Sequence, residues 1–366
     1  MHILVTGPNG FIGKNLTNKL IEKGHKVLPF SRESSFNEIE DQIDDIDLIY
    51  HLAGENRPND PKSFLQVNEK LLTRLCSLLK KSKRTTPIVF ASSIHATKNT
   101  PYGTSKLAAE EILYKHSQET KSKVYIYRLP GVFGKWSEPN YNTVVATFCH
   151  NISRNIQIDI SDPDKEISLV YIDDVIEEFI DITEHDLEFK KIKKIPTTKI
   201  SLSKLAELIR TFKYSRKDLF VDNLSKGFIK KLYATYTTFI PKDDWLYDFA
   251  SHSDERGIFA EVLKTSMSGQ VSFCTIKPNK IRGEHYHHSK IEKFIVIHGE
   301  VTMLYKNIIT EETVQFKLSE NDFKVIESIP GWSHQIKNIS NDDAKLIIWT
   351  NELFDPLKPD TYRYEI

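Results

Sequence analysis

The sequence predicts an α/β fold, a doubly wound parallel sheet, followed by an all-β barrel, and three observations carry that prediction. An apolar strand over residues 2–6 runs straight into Thr6-Gly7-Pro8-Asn9-Gly10-Phe11-Ile12-Gly13 and then into an amphipathic helical pattern. Strand-like and helix-like stretches alternate through the first two-thirds of the chain, the signature of a parallel sheet covered on both faces. Past Pro241 the texture changes to short strand candidates with turn signals between them, which reads as a barrel or sandwich.

In order, apolar strands are expected over residues 2–6, 26–30, 46–52, 87–91 and 123–129, separated by helical patterns such as 62–81 and 103–116. Residues 142–236 are more mixed, with helical patterns near 144–153, 174–184, 202–212 and 225–236; they read as the substrate-binding part of the same domain. Strands follow over 270–277, 293–298, 301–305, 324–327 and 344–350. The boundary is placed near residue 245, giving domains 1–244 and 245–366, in keeping with two cores for 366 residues at 39% apolar content. Fifty basic residues balance fifty acidic ones, so nothing electrostatic calls for nucleic acid or an anionic membrane as partner. Cys76, Cys149 and Cys274 lie far apart, which fits buried thiols rather than a disulfide framework. No apolar run approaches the ~20 residues of a membrane span and the chain enters a core strand at once, so a soluble, cytoplasmic protein is expected.

Gly7, Gly10 and Gly13 let the backbone turn sharply, approach a pyrophosphate and pack the next helix against the sheet, while the helix N-terminus at Phe11 and Ile12 offers N–H groups to the phosphates. At the end of the second strand an acidic residue would hold a free ribose 2′-hydroxyl. Here Ser31-Arg32 stands instead, a hydroxyl and a guanidinium suited to a 2′-phosphate, so NADPH is expected over NADH. The opposing reading gives the ribose to Glu33. Tyr102 and Lys106 stand four apart at the start of a helical pattern and so share a face. An ammonium beside a phenol favours phenolate, which fits Tyr102 as general acid toward a carbonyl oxygen receiving hydride. Ser92-Ser93 ends the preceding strand and can place a hydroxyl on the same oxygen.

Residues Thr6 to Gly13, His51-Leu52-Ala53-Gly54, Ser93, Tyr102 with Lys106, Arg128-Leu-Pro-Gly-Val-Phe133-Gly134 and Tyr171-Ile-Asp173-Asp174 resemble the extended short-chain dehydrogenase/reductase family, whose fold is Rossmann-like, over residues 1 to about 240. The resemblance implies that Ser93, with Ser92 as alternate, polarises the ketone, that Tyr102 donates the proton and that Lys106 holds the ribose. It also implies that His51, Leu52, Ala53 and Asn68 line the cofactor, although His51 reads equally as a core histidine, and that the substrate is a nucleotide-linked sugar.

The second domain carries an independent constellation, His285-Tyr286-His287-His288 with Glu292, then Pro330-Gly331-Trp-Ser-His334. Imidazoles and a carboxylate recur there as metal ligands do. The strings resemble the two-part cupin motif and imply His285, His287, Glu292 and His334 as ligands of one divalent metal, zinc before manganese, iron or nickel. The second string departs from that motif, with Asn321-Asp322 where it opens on glycine. Asp254-Glu-Arg256-Gly257 and Arg282-Gly283-Glu-His285 also resemble the phosphate-binding arginines and basic histidine of deoxysugar 3,5-epimerases. His285 is the base in one resemblance and a ligand in the other, which leaves His288, Tyr286 or a water as alternative bases. As a whole the chain resembles the bifunctional enzymes of capsular polysaccharide synthesis. That implies carbon 3 epimerisation of a UDP-2-acetamido-2,6-dideoxy-4-hexulose in the cupin, NADPH reduction at carbon 4 to the L-talose derivative, and a homodimer. The alternative is a single-activity 4-ketosugar reductase whose cupin serves dimerisation or sugar binding.

Overall fold

The computed structural model describes residues 1–54, 69–141, 143–184, 195–221, 227–245 and 250–366. Asn68 and parts of the helical patterns 62–81 and 225–236 lie outside them. The chain divides into two compact units, Met1–Arg210 with Lys226–Pro241, and Thr211–Ser225 with Lys242–Ile366. The upstream segment groups with the second unit through paired backbone, Val221 N donating to Lys264 O (2.7 Å) and Lys264 N to Leu219 O (2.8 Å).

The first unit is built on β1 (His2–Thr6), β2 (Lys26–Phe30), β3 (Leu48–His51), β4 (Ile88–Ser93) and β5 (Val124–Leu129), all parallel in the order β2-β1-β3-β4-β5. Alternate residues of these strands feed two separate cores. Ile3, Val5, Tyr50 and Val89 meet Leu16 and Leu20 of helix Phe11–Glu22 and Phe179 of helix Ile172–Glu184. Leu4, Ile49, Phe90 and Ile126 meet Leu72 and Leu75 of helix Lys70–Lys81 and Ala109 and Leu113 of helix Pro101–Thr120. Burial on both faces is why β1, β3, β4 and β5 read as apolar runs, while β2 at the sheet edge is only partly covered; the sheet bears out the doubly wound, Rossmann-like expectation. The strand order reverses between β1 and β3, so the crevice beyond their carboxyl ends is where a ligand of such a sheet sits. A smaller sheet, β6 (Gly131–Phe133), β7 (Glu166–Tyr171) and β8 (Thr198–Ser201), flanks the unit's second half.

The second unit is all-β among its described residues from Lys242 on, apart from a short 3-10 turn at Lys242–Asp244. Its strands are β9 (His252–Asp254), β10 (Gly257–Thr265), β11 (Gly269–Ile276), β12 (Ile281–Tyr286), β13 (Glu292–His298), β14 (Glu300–Asn307), β15 (Thr313–Ser319), β16 (Ile326–Glu327), β17 (Trp332–Asn338), β18 (Ala344–Thr350) and β19 (Tyr362–Arg363). They form two sheets, β16-β13-β18-β11-β10-β9 and β15-β14-β17-β12-β19. Their inward residues, including Ile276, Phe294, Val296, Met303, Ile336 and Leu346, make the core between the sheets. The second half of the fold expectation is borne out in this cupin-like architecture. Among the described residues no helix is long and apolar enough to cross a membrane.

Candidate functional site

The glycine cradle sits at the carboxyl end of β1. Gly7 takes a left-handed φ of 70°, and a Cβ on Gly13 would lie 2.1 Å from Gly7 O, so the turn closes only without side chains there. Gly10 caps helix Phe11–Glu22, and no side chain hydrogen-bonds to that cap. The first-turn N–H groups at Phe11, Ile12 and Gly13 are therefore oriented as an anion site, with the positive end of the helix dipole behind them. Thr6 ties the cradle to the end of β3. Its hydroxyl lies 2.9 Å from His51 Nδ1 and accepts from Ala53 N at 3.2 Å, while its carbonyl accepts from Leu52 N at 3.2 Å. His51 is fully buried and stacks on Phe90; burial, helped by the Lys106 charge, pushes its imidazole down to about 3. It holds the cradle's wall as a neutral ring. Its Nε2 has no partner among the described residues.

At the end of β2, Ser31 Oγ donates to Glu33 Oε2 at 2.7 Å, and Arg32 is exposed. Both of the groups weighed for the ribose, Arg32 and Glu33, thus stand at the same strand end.

Helix Pro101–Thr120 begins two residues before the expected pattern at 103, at a capped start. Thr100 accepts from Gly103 N at 3.1 Å as N-cap, and Pro101 occupies the first turn. A Cβ on Gly103 would come within 2.3 Å of His95 O and Lys98 O, so the helix start packs directly on the backbone of the preceding turn. That seat brings Tyr102 to Ser93, with which its phenol shares a hydrogen bond, and burial raises the phenol above its ordinary value while the Ser93 bond opposes the rise. Lys106, one turn on, is buried and donates to Ala91 O at 3.0 Å; burial takes its ammonium down to about 8, against the raising effect of Glu110. Burial thus works against the lowering of the phenol's pKa that the Tyr-Lys spacing suggests and keeps Tyr102 in the proton-bearing form a general acid needs. Strand alternation separates the two serines. Ser93 faces Tyr102, whereas Ser92 donates to Glu110 at 2.5 Å. Glu110, which sequence reading passed over, is fully buried and takes Arg128 through two bonds of 2.9 and 2.6 Å. Its only signal in the sequence is its place four residues after Lys106 on the same helix face.

In the second unit, β12 and β17 pair with His285 opposite His334, and the register shifts between Gly283 and His285. Gly283 and Glu284 both have positive φ, 95° and 61°. This bulge aims His285 inward. Glu292 opens β13, and the ligand atoms of His285, His287, Glu292 and His334 all lie within 4.8 Å of one another. They stand by a cavity of about 200 Å³ that Arg256, Cys274, Arg282, His285, Glu292 and His334 help to line. Tyr286 and His288 go elsewhere, into a cluster with Tyr362.

The donor chemistry of the cluster fits a divalent cation. His287 Nδ1 is 2.6 Å from the Asp360 carbonyl, which requires Nδ1 to carry the proton. The Nε2 of a neutral His287 is then an acceptor, yet it lies 3.1 Å from Glu292 Oε2, and His334 Nε2 lies 3.2 Å from the same oxygen. Facing acceptors need a cation or protons between them. Burial would raise the Glu292 carboxyl, but where protons take the cation's place on the Nε2 atoms the hydrogen bonds of His287 and His334 outweigh it and hold the carboxyl below the usual carboxylate range. His285 is pushed down to about 4 by burial and its imidazole neighbours, so it presents a neutral lone pair. At the cavity, Arg256 binds Asp254 at 3.0 and 2.6 Å, Arg282 approaches the same carboxylate at 3.5 Å, and Arg282 Nε is buried without a partner among the described residues.

Comparison with known proteins matches this division. Residues 252–362 match the polysaccharide biosynthesis C-terminal domain, and residues 3–193 the NAD dependent epimerase/dehydratase family. The chain is 45% identical over 364 residues to UDP-2-acetamido-2,6-beta-L-arabino-hexul-4-ose reductase of Pseudomonas aeruginosa, covering 99% of this chain and 98% of that one. The crystal structure of capsular polysaccharide assembling protein CapF from Staphylococcus aureus matches over 100% of both chains at 37% identity, with a TM-score of 0.94. CapF with the inhibitor 3-isopropenyl-tropolone matches over the same span at 33% identity and a TM-score of 0.89. UDP-glucose 4-epimerase from Thermotoga maritima, 20% identical over 65% of this chain and 98% of that one with a TM-score of 0.56, shares the fold of part of the chain. The two-unit architecture is that of CapF, and the chain belongs to the NAD dependent epimerase/dehydratase family, with a polysaccharide biosynthesis C-terminal domain fused to it.

Proposed function

We propose that the chain is a nucleotide-sugar 4-ketoreductase of capsular polysaccharide synthesis that uses NADPH and carries an epimerase in its second unit. The observation that carries the reading is the Ser93–Tyr102 hydrogen bond beside buried Lys106, next to a glycine cradle at the sheet's switch point. The proposed substrate is a UDP-2-acetamido-2,6-dideoxy-4-hexulose, in line with the name of the Pseudomonas relative. The cofactor supplies hydride to carbon 4. Ser93 holds the ketone oxygen, Tyr102 gives it a proton, and Lys106 keeps a positive charge beside the ribose and phenol. Arg32 would meet the 2′-phosphate, and Gly7, Gly10, Phe11, Ile12 and Gly13 would hold the pyrophosphate against the helix N-terminus. His51, Leu52 and Ala53 form the wall that Thr6 braces.

In the second unit, His285, His287, Glu292 and His334 would hold one divalent metal, zinc by preference, which when bound acts as a Lewis acid at an oxygen of the sugar. Arg256 and Arg282 offer guanidinium groups at the same cavity to the substrate's phosphates. Epimerisation at carbon 3 precedes reduction, because protons next to a carbonyl are acidic only while the ketone persists. The domains are drawn at 1–244 and 245–366, and the enzyme is read as a cytoplasmic homodimer, as the sequence and its family resemblance imply.

The test is incubation of the UDP-4-ketosugar in deuterated water with and without NADPH. Tyr102→Phe should abolish reduction, by at least a hundredfold, while deuterium still enters carbon 3. Loss of exchange together with reduction in a folded Tyr102→Phe protein would refute a separate epimerase. If the wild-type protein reduces the sugar but never exchanges, the second reading holds, a single-activity reductase with a dimerising or sugar-binding cupin.

A further inference from the structure

We propose that the segment 359–364 is a strap that locks the metal centre, with Asp360 as the positioning residue that fixes His287. This rests on the metal reading above and adds to it a residue far from the ligands in sequence. Two sets of contacts converge on Asp360 and a third on its neighbours Pro359 and Thr361. Its backbone carbonyl accepts from His287 Nδ1 at 2.6 Å. Its carboxylate accepts from the backbone N–H groups of His288 (3.0 Å), Ser289 (2.8 Å) and Lys290 (2.8 Å), and from the Ser289 hydroxyl (3.0 Å). The buried Lys290 ammonium returns the grip, donating to Pro359 O at 2.8 Å and Thr361 Oγ1 at 2.6 Å.

The strap is pinned at its far end too. Tyr364 N donates to Glu284 O at 2.9 Å and Tyr364 O accepts from Ser333 Oγ at 2.6 Å, while Tyr362 and Arg363 pair with Tyr286 and His285. It thus clasps the loop after β12, the bulge before His285 and the strand of His334. Asp360 itself sits at a φ of 37°, in the left-handed region that aspartate tolerates better than most residues. A loop of three consecutive N–H groups is an anion-holding concavity. Here the protein fills it with its own carboxylate, and the consequence falls on His287. With the proton committed to Nδ1, the ring has one tautomer and one orientation, and only Nε2 is left to face Glu292 and a metal. An imidazole fixed in this way binds metal more tightly, because neither rotation nor tautomer exchange competes with coordination.

The experiment strips the full-length protein with chelator and titrates it with zinc and, separately, with cobalt(II), whose visible absorption reports coordination. Asp360→Ala should weaken zinc binding roughly 10–100-fold and alter the cobalt spectrum, while NADPH binding, followed by fluorescence, stays at the wild-type level. Lys290→Met acts on the strap without touching Asp360 or a ligand; it should weaken zinc in the same direction and decides the matter if Asp360→Ala does not fold. Zinc affinity and cobalt spectra unchanged in both variants would overturn the strap proposal. A wild-type protein that binds neither metal would overturn the metal reading itself, a different result.

Discussion

Tyr102, Lys106 and Glu110 follow one another at four-residue spacing on helix Pro101–Thr120, so one face bears a proton donor, an ammonium and a carboxylate in line. Burial is the largest influence on Lys106 and takes it down to about 8, with Glu110 working in the opposite direction. The ammonium is therefore charged at neutral pH and loses its proton as pH rises through about 8. The kcat/KM of ketone reduction, which reports the free enzyme, should fall along an alkaline limb near pH 8 instead of near 10.5, the ordinary value for lysine. Glu110→Gln removes the charge that raises Lys106, so it should move this limb to lower pH. It should also cost roughly 1–3 kcal/mol of stability, since Arg128 loses a charged partner that is fully buried; denaturant titration reads the second effect and a pH–rate profile the first. A limb that stays in place in Glu110→Gln would show that Lys106 does not feel that carboxylate. Between pH 8 and 10.5 the unfolded chain holds the Lys106 proton more strongly than the folded one, so this residue's contribution to stability rises with pH across that window. Arg32→Asp should erode the preference for NADPH by weakening its binding, and a wild-type enzyme more efficient with NADH would reverse the reading of Ser31-Arg32 in favour of Glu33.

At the scale of elements, two devices aim the chemistry. One is the capped start of helix Pro101–Thr120, set by Thr100, Pro101 and Gly103; the other is the bulge at Gly283 and Glu284. A Cβ on Gly283 would sit 2.6 Å from His334 O, on the strand that carries another of the four ligands. Gly283→Ala should therefore spread the β12–β17 pair and lower metal content well below wild type, read by elemental analysis, while leaving NADPH affinity alone. The contrast between the two units explains what the sequence made legible. Strands β1, β3, β4 and β5 of the first unit are buried on both faces, so their apolar runs stand out against the helices; β1 is found over 2–6 and the edge strand β2 over 26–30, where expected. In the second unit β12 reads Ile-Arg-Gly-Glu-His-Tyr and is half-buried throughout. Its residues serve a cavity and a bulge, and neither leaves an alternating pattern. β17 is hidden for a related reason, since Ser333 and His334, on opposite faces of the strand, are both polar yet fully buried. The sequence ranked Ser93 ahead of Ser92 only through the family resemblance, because both serines meet helix Pro101–Thr120, Ser93 at Tyr102 and Ser92 at Glu110. Asp360 lay beyond reach as well, being 73 residues from the histidine it holds.

For the whole molecule, the two constellations make a chemical argument that neither makes alone. In the proposed reaction a ketone is what both would need: the second unit's cavity would use it to acidify the neighbouring C–H, and reduction beside Tyr102 in the first unit would consume it. Reduction therefore ends epimerisation irreversibly, and the order of the steps is fixed by the substrate's own acidity whatever the path between the units. This order has a measurable signature in deuterated water. With NADPH, the wild-type protein should release alcohol carrying deuterium at carbon 3 as its main product, and the isolated alcohol, returned to the enzyme, should take up none. His287→Ala should lose exchange and metal while NADPH binding survives. Any alcohol it forms should be unlabelled and retain the substrate's original configuration at carbon 3. Labelled product from metal-free His287→Ala would place the exchange outside the metal centre, whereas unlabelled product of unchanged configuration from the wild type would leave the second unit without an epimerase role. Either outcome would undo the assignment of epimerisation to the metal centre.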